Sequence, residues 1–275
     1  VGLDAQHGRL VSDTRAFVDG RPADSAALIR FARNGYHHFT TMQVRAGAVR
    51  GLALHLARLS DATRQMFSVE LDVAALRAHL RAALASTPDA AVRISVAARN
   101  HSVRAMPVSA QIETMILVDP PTPWRHAPMR VMSLPHTRYQ PQLKHSGLFD
   151  LFALRQHAVR HGFDDAALLN RDHCISEGPT FNLGFVLDDL LIWPQAERLA
   201  GTTERLLQHA WTTIGGHQRQ QRIALDDLAT FHGAFACHSG GIWPLRCIDA
   251  QPFPSHGEWL TRLHQLWDVL PAESI

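Results

Sequence analysis

Lys144 is the only lysine in the chain; every other one of its 27 Lys and Arg residues is arginine. Arginine stays charged at any working pH, whereas a desolvated lysine releases its proton and becomes a nucleophilic amine. A chain that supplies positive charge with arginine and keeps one lysine directs attention to the amine itself. Glu177 follows in the segment EGPTFN, between two short predicted strands. Thr202 and Thr203 come directly after Gly201 at a predicted helix start. There, free backbone N–H groups and the positive end of the helix dipole favour a phosphate. Arg58 offers a fork suited to bidentate phosphate contact, and Ser239-Gly240-Gly241 a second tight turn of donors. One cofactor needs an amine for a Schiff base, a carboxylate on a pyridine nitrogen and a phosphate cradle together: pyridoxal 5′-phosphate.

The elements that must carry these groups fall into two blocks. HHFTTMQVR after Tyr36 alternates and is rich in β-formers, and an Ala46-Gly47 turn makes it a hairpin with AVRG. Leu52, His55/Leu56, Leu59, Ala62/Thr63 and Met66 recur at helical spacing, with Arg58 about midway. Asp72 reads as the N-cap of a second helix ended by Pro88. AAVRISVAA and QIETMILVD read as strands separated by RNHSVRAMPVS. Four prolines in residues 119–128 mark a linker. Beyond it come MRVMSLP, a polar stretch HTRYQPQ leading to Lys144, and the helix LFDLFALRQHAVRHG. AALLN, CIS, EGPTFNLGFVL and LLIW read as short strands with tight turns. The helix TTERLLQHAWTTI, a short helix from Asp226-Asp227, the strand FHGAFACHS and a last helix HGEWLTRLHQLWDVL complete the pattern.

A chain of 275 residues that is 46% hydrophobic buries a sizeable core in one large or two medium domains. A net charge of +2, from 27 basic and 25 acidic residues, carries no nucleic-acid footprint. VGLDAQHGRL has no charged segment followed by an apolar one, and no apolar run reaches membrane-spanning length, so a soluble, cytoplasmic setting without membrane or nucleic-acid partners is expected. The three cysteines form no C-x-x-C. His157 and His161 lie four apart on a predicted helix but lack the Glu of H-E-x-x-H and a third ligand, so no metal site is expected.

The chain resembles the class IV pyridoxal-phosphate aminotransferase family, which includes branched-chain and D-amino-acid aminotransferases and aminodeoxychorismate lyase. The resemblance runs from Tyr36 to Leu245 in the family's order. FTTMQVRAGAVRGLALHLARL is similar to the family's strand-turn-strand-helix, with Arg58 at the place of its phosphate-binding arginine. QLKHS resembles the Schiff-base lysine segment, and FDDAALLNRDHCISEGPTFNLGFV the strand pair whose E-G-x-x-x-N motif carries the pyridine-binding glutamate, here Glu177. Asn182 of that motif reads as structural. LAGTT is similar to the family's L-x-G-I-T loop, which implies that Leu199 packs on the cofactor ring while Thr202 and Thr203 hold its phosphate. FACHSGGIWPL resembles the strand and turn that complete the pocket, with Ser239 a phosphate contact and Gly240 near the substrate.

The resemblance implies an α+β, two-domain fold. A small α+β domain would span residues 1–120 and a proline-rich linker 121–128. A larger pseudo-barrel domain, with the catalytic lysine, would span 129–275. It also implies a homodimer and a small-molecule amino acid or amine substrate. The expected activity is transamination of an amino acid and 2-keto acid pair, with Lys144 as Schiff-base residue and general base. Elimination releasing pyruvate, as in aminodeoxychorismate lyase, is the alternative, and a cofactor-binding protein without turnover a third reading. Substrate signals are mixed. Arg99-Asn100-His101 resembles the Arg-x-His carboxylate loop of D-amino-acid aminotransferases, and Arg99 also fits the Arg-Gly of the lyases. Phe39-Thr40-Thr41 and Lys144-His145 look like the lyase. Leu148-Phe149 stand where the branched-chain type has Asn-Tyr. Two departures stand out: Glu204 replaces the arginine that usually follows Thr203, and the usual Asp-Arg before the first strand is not recognisable.

Overall fold

The computed structural model describes residues 14–102, 104–106, 108–122, 127–254 and 256–275. The opening VGLDAQHGRL and residues 123–126 of the expected linker lie outside the described residues. By its internal contacts the chain forms two units. One comprises Val1–Thr122, Lys144–Gly147 and Pro271–Ile275, the other Pro123–Leu143 and Leu148–Leu270.

The first unit is built on β1 (Arg15–Val18), β2 (Arg21–Pro22), α1 (Ser25–Arg33), β3 (His37–Arg45), β4 (Ala48–Arg50), α2 (Leu52–Phe67), α3 (Val73–Leu84), β5 (Ala90–Ala98) and β6 (Ile112–Asp119). The β3–β4 hairpin turns at Ala46 and Gly47, whose φ angles are 50° and 72°. Two positive φ values in succession define the turn type that matches strand twist. Ala46 bears the left-handed conformation with its N–H held on Asp89 Oδ1 at 2.8 Å. Period-two alternation on β3 sends His38, Thr40, Met42 and Val44 toward the helices: His38 and Thr40 bond to α2, and Met42 and Val44 join the core. That core packs Leu52, Leu56 and Leu59 of α2 and Leu76 and Leu80 of α3 with Val92, Ile94 and Ile116 of the sheet. The other face of β3 carries Phe39 and Thr41. Asp72 caps α3 by accepting from Ala75 N at 2.8 Å, as its sequence position predicts.

The second unit contains β7 (Met129–Pro135), α4 (Phe149–Arg160), β8 (Asp165–Leu169), β9 (Asn182–Leu187), β10 (Leu190–Pro194), α5 (Thr202–Thr213), β11 (His217–Gln221), β12 (Gly233–His238), β13 (Gly241–Ile248), β14 (Gln251–Pro252) and α6 (Glu258–Val269). Its eight strands follow the order β11-β10-β9-β12-β13-β7-β8, with β14 paired to β13. The segment 174–177 then runs between the two ends of this order. On one side Leu168 N donates to Glu177 O and Ser176 N to Leu168 O; on the other Ile175 N donates to Ile223 O, two residues past β11. This seam gives the sheet a barrel-like closure and fills the interior with Phe185, Ile192, Leu183 and Ala236.

The structure departs from the expected boundaries. The 129–275 block is not continuous, because Lys144–Gly147 and Pro271–Ile275 group with the first unit. The physical cause is backbone pairing: Phe39 N donates to Lys144 O at 2.8 Å and Ser146 N to His37 O at 2.9 Å. A further strand, β15 (Ala272–Ser274), follows the last helix and pairs with β4. The seven-stranded order of that unit is thus β15-β4-β3-β5-β6-β1-β2. EGPTF does not extend β9; Glu177 ends the seam and the strand begins at Asn182.

Candidate active site

The residues of interest divide between the two units. In the first unit Lys144 is fixed beside β3 by the two backbone bonds above, with a further bridge between His38 and His145. Its Nζ lies 5.1 Å from the centre of the Phe39 ring. The guanidinium carbon of Arg93 lies 3.6 Å from the same centre. Arg93 sits opposite Thr41 in the β3–β5 register, bonds to Ser95 Oγ at 3.4 Å, and forms no ion pair among the described residues. Burial pulls its pKa down, with no charged partner to restore it. An arginine in that condition favours an anion.

Arg58 and Lys144 both act on His55, a fully enclosed imidazole whose pKa falls to about 3 through burial, then through these two cations. Its Nδ1 meets Thr40 Oγ1 at 2.7 Å. A neutral imidazole therefore stands among two cations without adding a third. Arg99 occupies a different setting. Its Nη2 donates to Asp19 Oδ2 at 2.6 Å and its Nε to Glu113 Oε2 at 3.3 Å. Glu113 is at the same time held by Arg30 through both oxygens. His101 lies over Tyr36, ring centres 5.9 Å apart.

In the second unit Glu177 is buried at the seam. Its Oε1 accepts from Arg138 Nη1 at 2.9 Å and its Oε2 from Leu199 N at 3.3 Å. Burial pushes the Glu177 carboxyl above its ordinary pKa, and the guanidinium of Arg138 pulls it back. Arg138 also donates to the carbonyl of Leu143 at 3.2 Å, the residue before Lys144.

Asn182 holds Leu199 O through Nδ2 at 2.7 Å. Gly201 is required by that arrangement: a Cβ there would come 1.9 Å from Asn182 Oδ1. Gly201 is also the N-cap of α5 and offers no side-chain acceptor, so the first-turn N–H groups have no side-chain cap. Thr202 and Thr203 are buried in that turn, and Thr202 Oγ1 makes no hydrogen bond. A buried hydroxyl without a partner at an uncapped helix start suits an oxyanion. Ser239 and Gly240 form the β12–β13 turn, where Gly240 N donates to His238 Nδ1 at 2.8 Å.

Glu204 is no free carboxylate. Arg198 grips it with both guanidinium nitrogens, and Gln208 Nε2 donates to it at 2.9 Å. The negative charge at this position is thus matched internally by Arg198. Arg138, Arg93 and His55 were not singled out by sequence reasoning. Arg93 alone carried a signal, as the one charged residue inside the apolar strand AAVRISVAA.

A profile of the amino-transferase class IV family matches residues 37–248. The chain belongs to the class IV aminotransferase family. Enzymes of this family depend on pyridoxal phosphate, and among the similar structures is a hypothetical aminotransferase from Mycobacterium tuberculosis in its PLP-bound form, with a TM-score of 0.77 at 19% identity, covering 94% of this chain and 98% of that one. Probable branched-chain-amino-acid aminotransferases of Rickettsia bellii and Rickettsia felis are 34% and 33% identical over 76 and 82 residues, or 27% and 30% of this chain. Those matches span only 26% and 28% of the relatives' own length. The structure of 4-amino-4-deoxychorismate lyase from Pseudomonas aeruginosa matches with a TM-score of 0.77 at 30% identity, covering 93% of this chain and 99% of that chain. The branched-chain amino acid aminotransferase of Escherichia coli shares the fold, with a TM-score of 0.82 at 19% identity over 93% of this chain and 94% of that one. No helix among the described residues of this class IV chain is long and apolar enough to cross a membrane. No group of three His, Cys, Asp or Glu among them could hold a metal, and His157 and His161 stack on each other, ring centres 4.3 Å apart.

Proposed function

We propose that this class IV enzyme is a transaminase for an amino acid and 2-keto acid pair, with Lys144 as its catalytic amine. The observation that carries the reading is the chain's single lysine, pinned by backbone bonds to β3 beside a half-buried arginine that forms no ion pair among the described residues. Pyridoxal phosphate, when bound, supplies the electron sink that makes a substrate Cα–H acidic.

The residues present fit that cofactor. Lys144 would hold it covalently; Glu177 would face its ring nitrogen, with Arg138 keeping the carboxylate ionised against burial. Leu199 would cover the ring. Arg58, Thr202, Thr203 and Ser239 would hold the phosphate, the unbonded Thr202 hydroxyl being the group most in need of an acceptor or donor. Freed by a substrate amine, Lys144 Nζ would take the proton from the substrate α-carbon and carry it away from that carbon, as transamination requires. Phe39 shapes the space beside that nitrogen, and Arg93 orients a substrate carboxylate near Phe39 and Thr41. Arg99 would reach a substrate only by leaving its two carboxylates, and Gly240 would contribute at the rim.

Elimination releasing pyruvate is supported by a specific observation, the full-length similarity to the Pseudomonas lyase. Two assays on one preparation separate the readings. Keto-acid-dependent conversion of L- or D-amino acids supports the transaminase. Lactate-dehydrogenase-coupled pyruvate release from aminodeoxychorismate, with no transamination, replaces it with the lyase. The chain is further proposed to act as a cytoplasmic homodimer, which light scattering of the purified protein tests for its assembly.

A further inference from the structure

The first unit contains a cavity of about 530 Å³ walled by the C-terminal end of α1 and the loop after β5. Four arginines line it, Arg30, Arg33, Arg99 and Arg104, together with His101. Their charges are unequally matched. Arg30 and Arg99 are occupied by Glu113 and Asp19. Arg33 and Arg104 form no ion pair among the described residues. His101 Nδ1 is buried and makes no hydrogen bond. The cavity therefore presents two unmatched guanidinium groups from two different elements and one buried ring nitrogen that lacks a partner.

The geometry points to a binding site for a small molecule carrying a compact oxyanion, a phosphate or a carboxylate, held by Arg33 and Arg104 with His101. Guanidinium forks match such anions bidentately, and a cavity of this size admits a metabolite rather than a lone ion. The Glu113-centred pairs supply a rigid wall: both arginines bonded to that buried carboxylate are fixed, so an incoming anion meets Arg33 and Arg104 without having to displace an acid. Arg30 and Arg33 also lie in the last turn of α1, where the helix dipole favours a cation. That accounts for their presence at the helix end but not for Arg104 or the unbonded His101 nitrogen. The inference does not depend on the transaminase reading.

Titration calorimetry on the cofactor-saturated protein tests it, because the phosphate cradle of the cofactor is then filled. Inorganic phosphate and succinate are the two probes, with sodium chloride at matched ionic strength as control. Saturable binding of either is expected, tighter for phosphate if the natural ligand is a phosphate ester and tighter for succinate if it is a polycarboxylate. Arg33→Gln with Arg104→Gln should weaken it by about tenfold or more, the size of effect that losing charge-assisted hydrogen bonds produces. Both positions are exposed, so folding is expected to persist and is checked by circular dichroism. Unchanged affinity in the double variant, or no saturable heat with either anion in the wild type, would overturn the inference.

Discussion

Arg138 and Glu177 form a buried ion pair, Nη1 to Oε1 at 2.9 Å, with side chains 8% and 5% exposed. The pair matters because burial alone would favour a protonated carboxyl. Removing one partner of a buried pair costs roughly 3–5 kcal/mol. Arg138→Met should therefore lower the urea midpoint substantially. It should also weaken pyridoxal phosphate binding, since a neutral Glu177 no longer favours a protonated ring nitrogen. Cofactor titration followed by absorbance checks this, and wild-type affinity in a folded variant would argue against the pairing role.

Lys144→Arg keeps the charge and loses the nucleophile. The variant should show no cofactor band trapped by borohydride and no turnover, whereas the wild type is labelled on Lys144. Turnover at the wild-type rate would refute the central assignment.

Arg93→Met keeps an unbranched apolar stem at this position while removing the guanidinium that lies on Phe39. If Arg93 orients a substrate carboxylate, KM should rise by one to two orders of magnitude, on the order of a charge-assisted hydrogen bond of 1.5–3 kcal/mol, with a smaller change in kcat. A variant with unaltered KM for every carboxylate-bearing substrate would remove Arg93 from the site.

Stability should fall on acidification through two histidines. Thr63 Oγ1 donates to Leu59 O, so it can only accept from His38 Nε2, which fixes the proton on that nitrogen. His38 Nδ1 is then a bare, buried acceptor with no partner. Burial takes His38, like His55, down to a pKa of about 3. Because the folded values lie below the unfolded value near 6.5, the unfolded chain binds more protons between about pH 6.5 and 3. Folding stability is thus complete above 6.5 and falls as pH drops, by up to about 1.4 kcal/mol per unit for each histidine. Urea midpoints between pH 7.5 and 4.5 should follow this slope, and His55→Gln should flatten it.

Gly201→Ala places a methyl against Asn182 Oδ1, and Asn182 cannot retreat without releasing Leu199 O. We expect a loss of about 1–3 kcal/mol, the usual range for overpacking, with weaker cofactor retention. Pairing it with Asn182→Ala should give a smaller loss than the sum of the two single changes. Strict additivity, read from denaturant unfolding, would show that the two positions do not meet.

Much of this molecule was legible in its residues. Lys144 stood out as the one lysine, the helix over residues 52–67 followed from apolar spacing, and the one over 202–213 from its framing by Gly201 and Gly215-Gly216. Arg93 and Arg138 were harder to see because their meaning comes from pairing across the fold. Arg93 acquires its proposed role only when β5 places it opposite Thr41, and Arg138 its partner only when the seam brings Glu177 within 2.9 Å. The grouping of Lys144–Gly147 with the first unit was likewise invisible, since it rests on backbone bonds to β3. Nor does local sequence announce that β15, three residues long, will pair with β4.

That last strand has a consequence for how the protein is made. Glu273 on β15 accepts from Ala53 N in the first turn of α2, 220 residues earlier. A sheet whose outermost strand is drawn from residues 272–274 cannot be finished while the ribosome is still translating them. Until residues 272–274 have been made, the edge of β4 stays open, an exposed template of the kind that recruits neighbouring chains. The unit made first is therefore sealed only by a strand translated about 220 residues later.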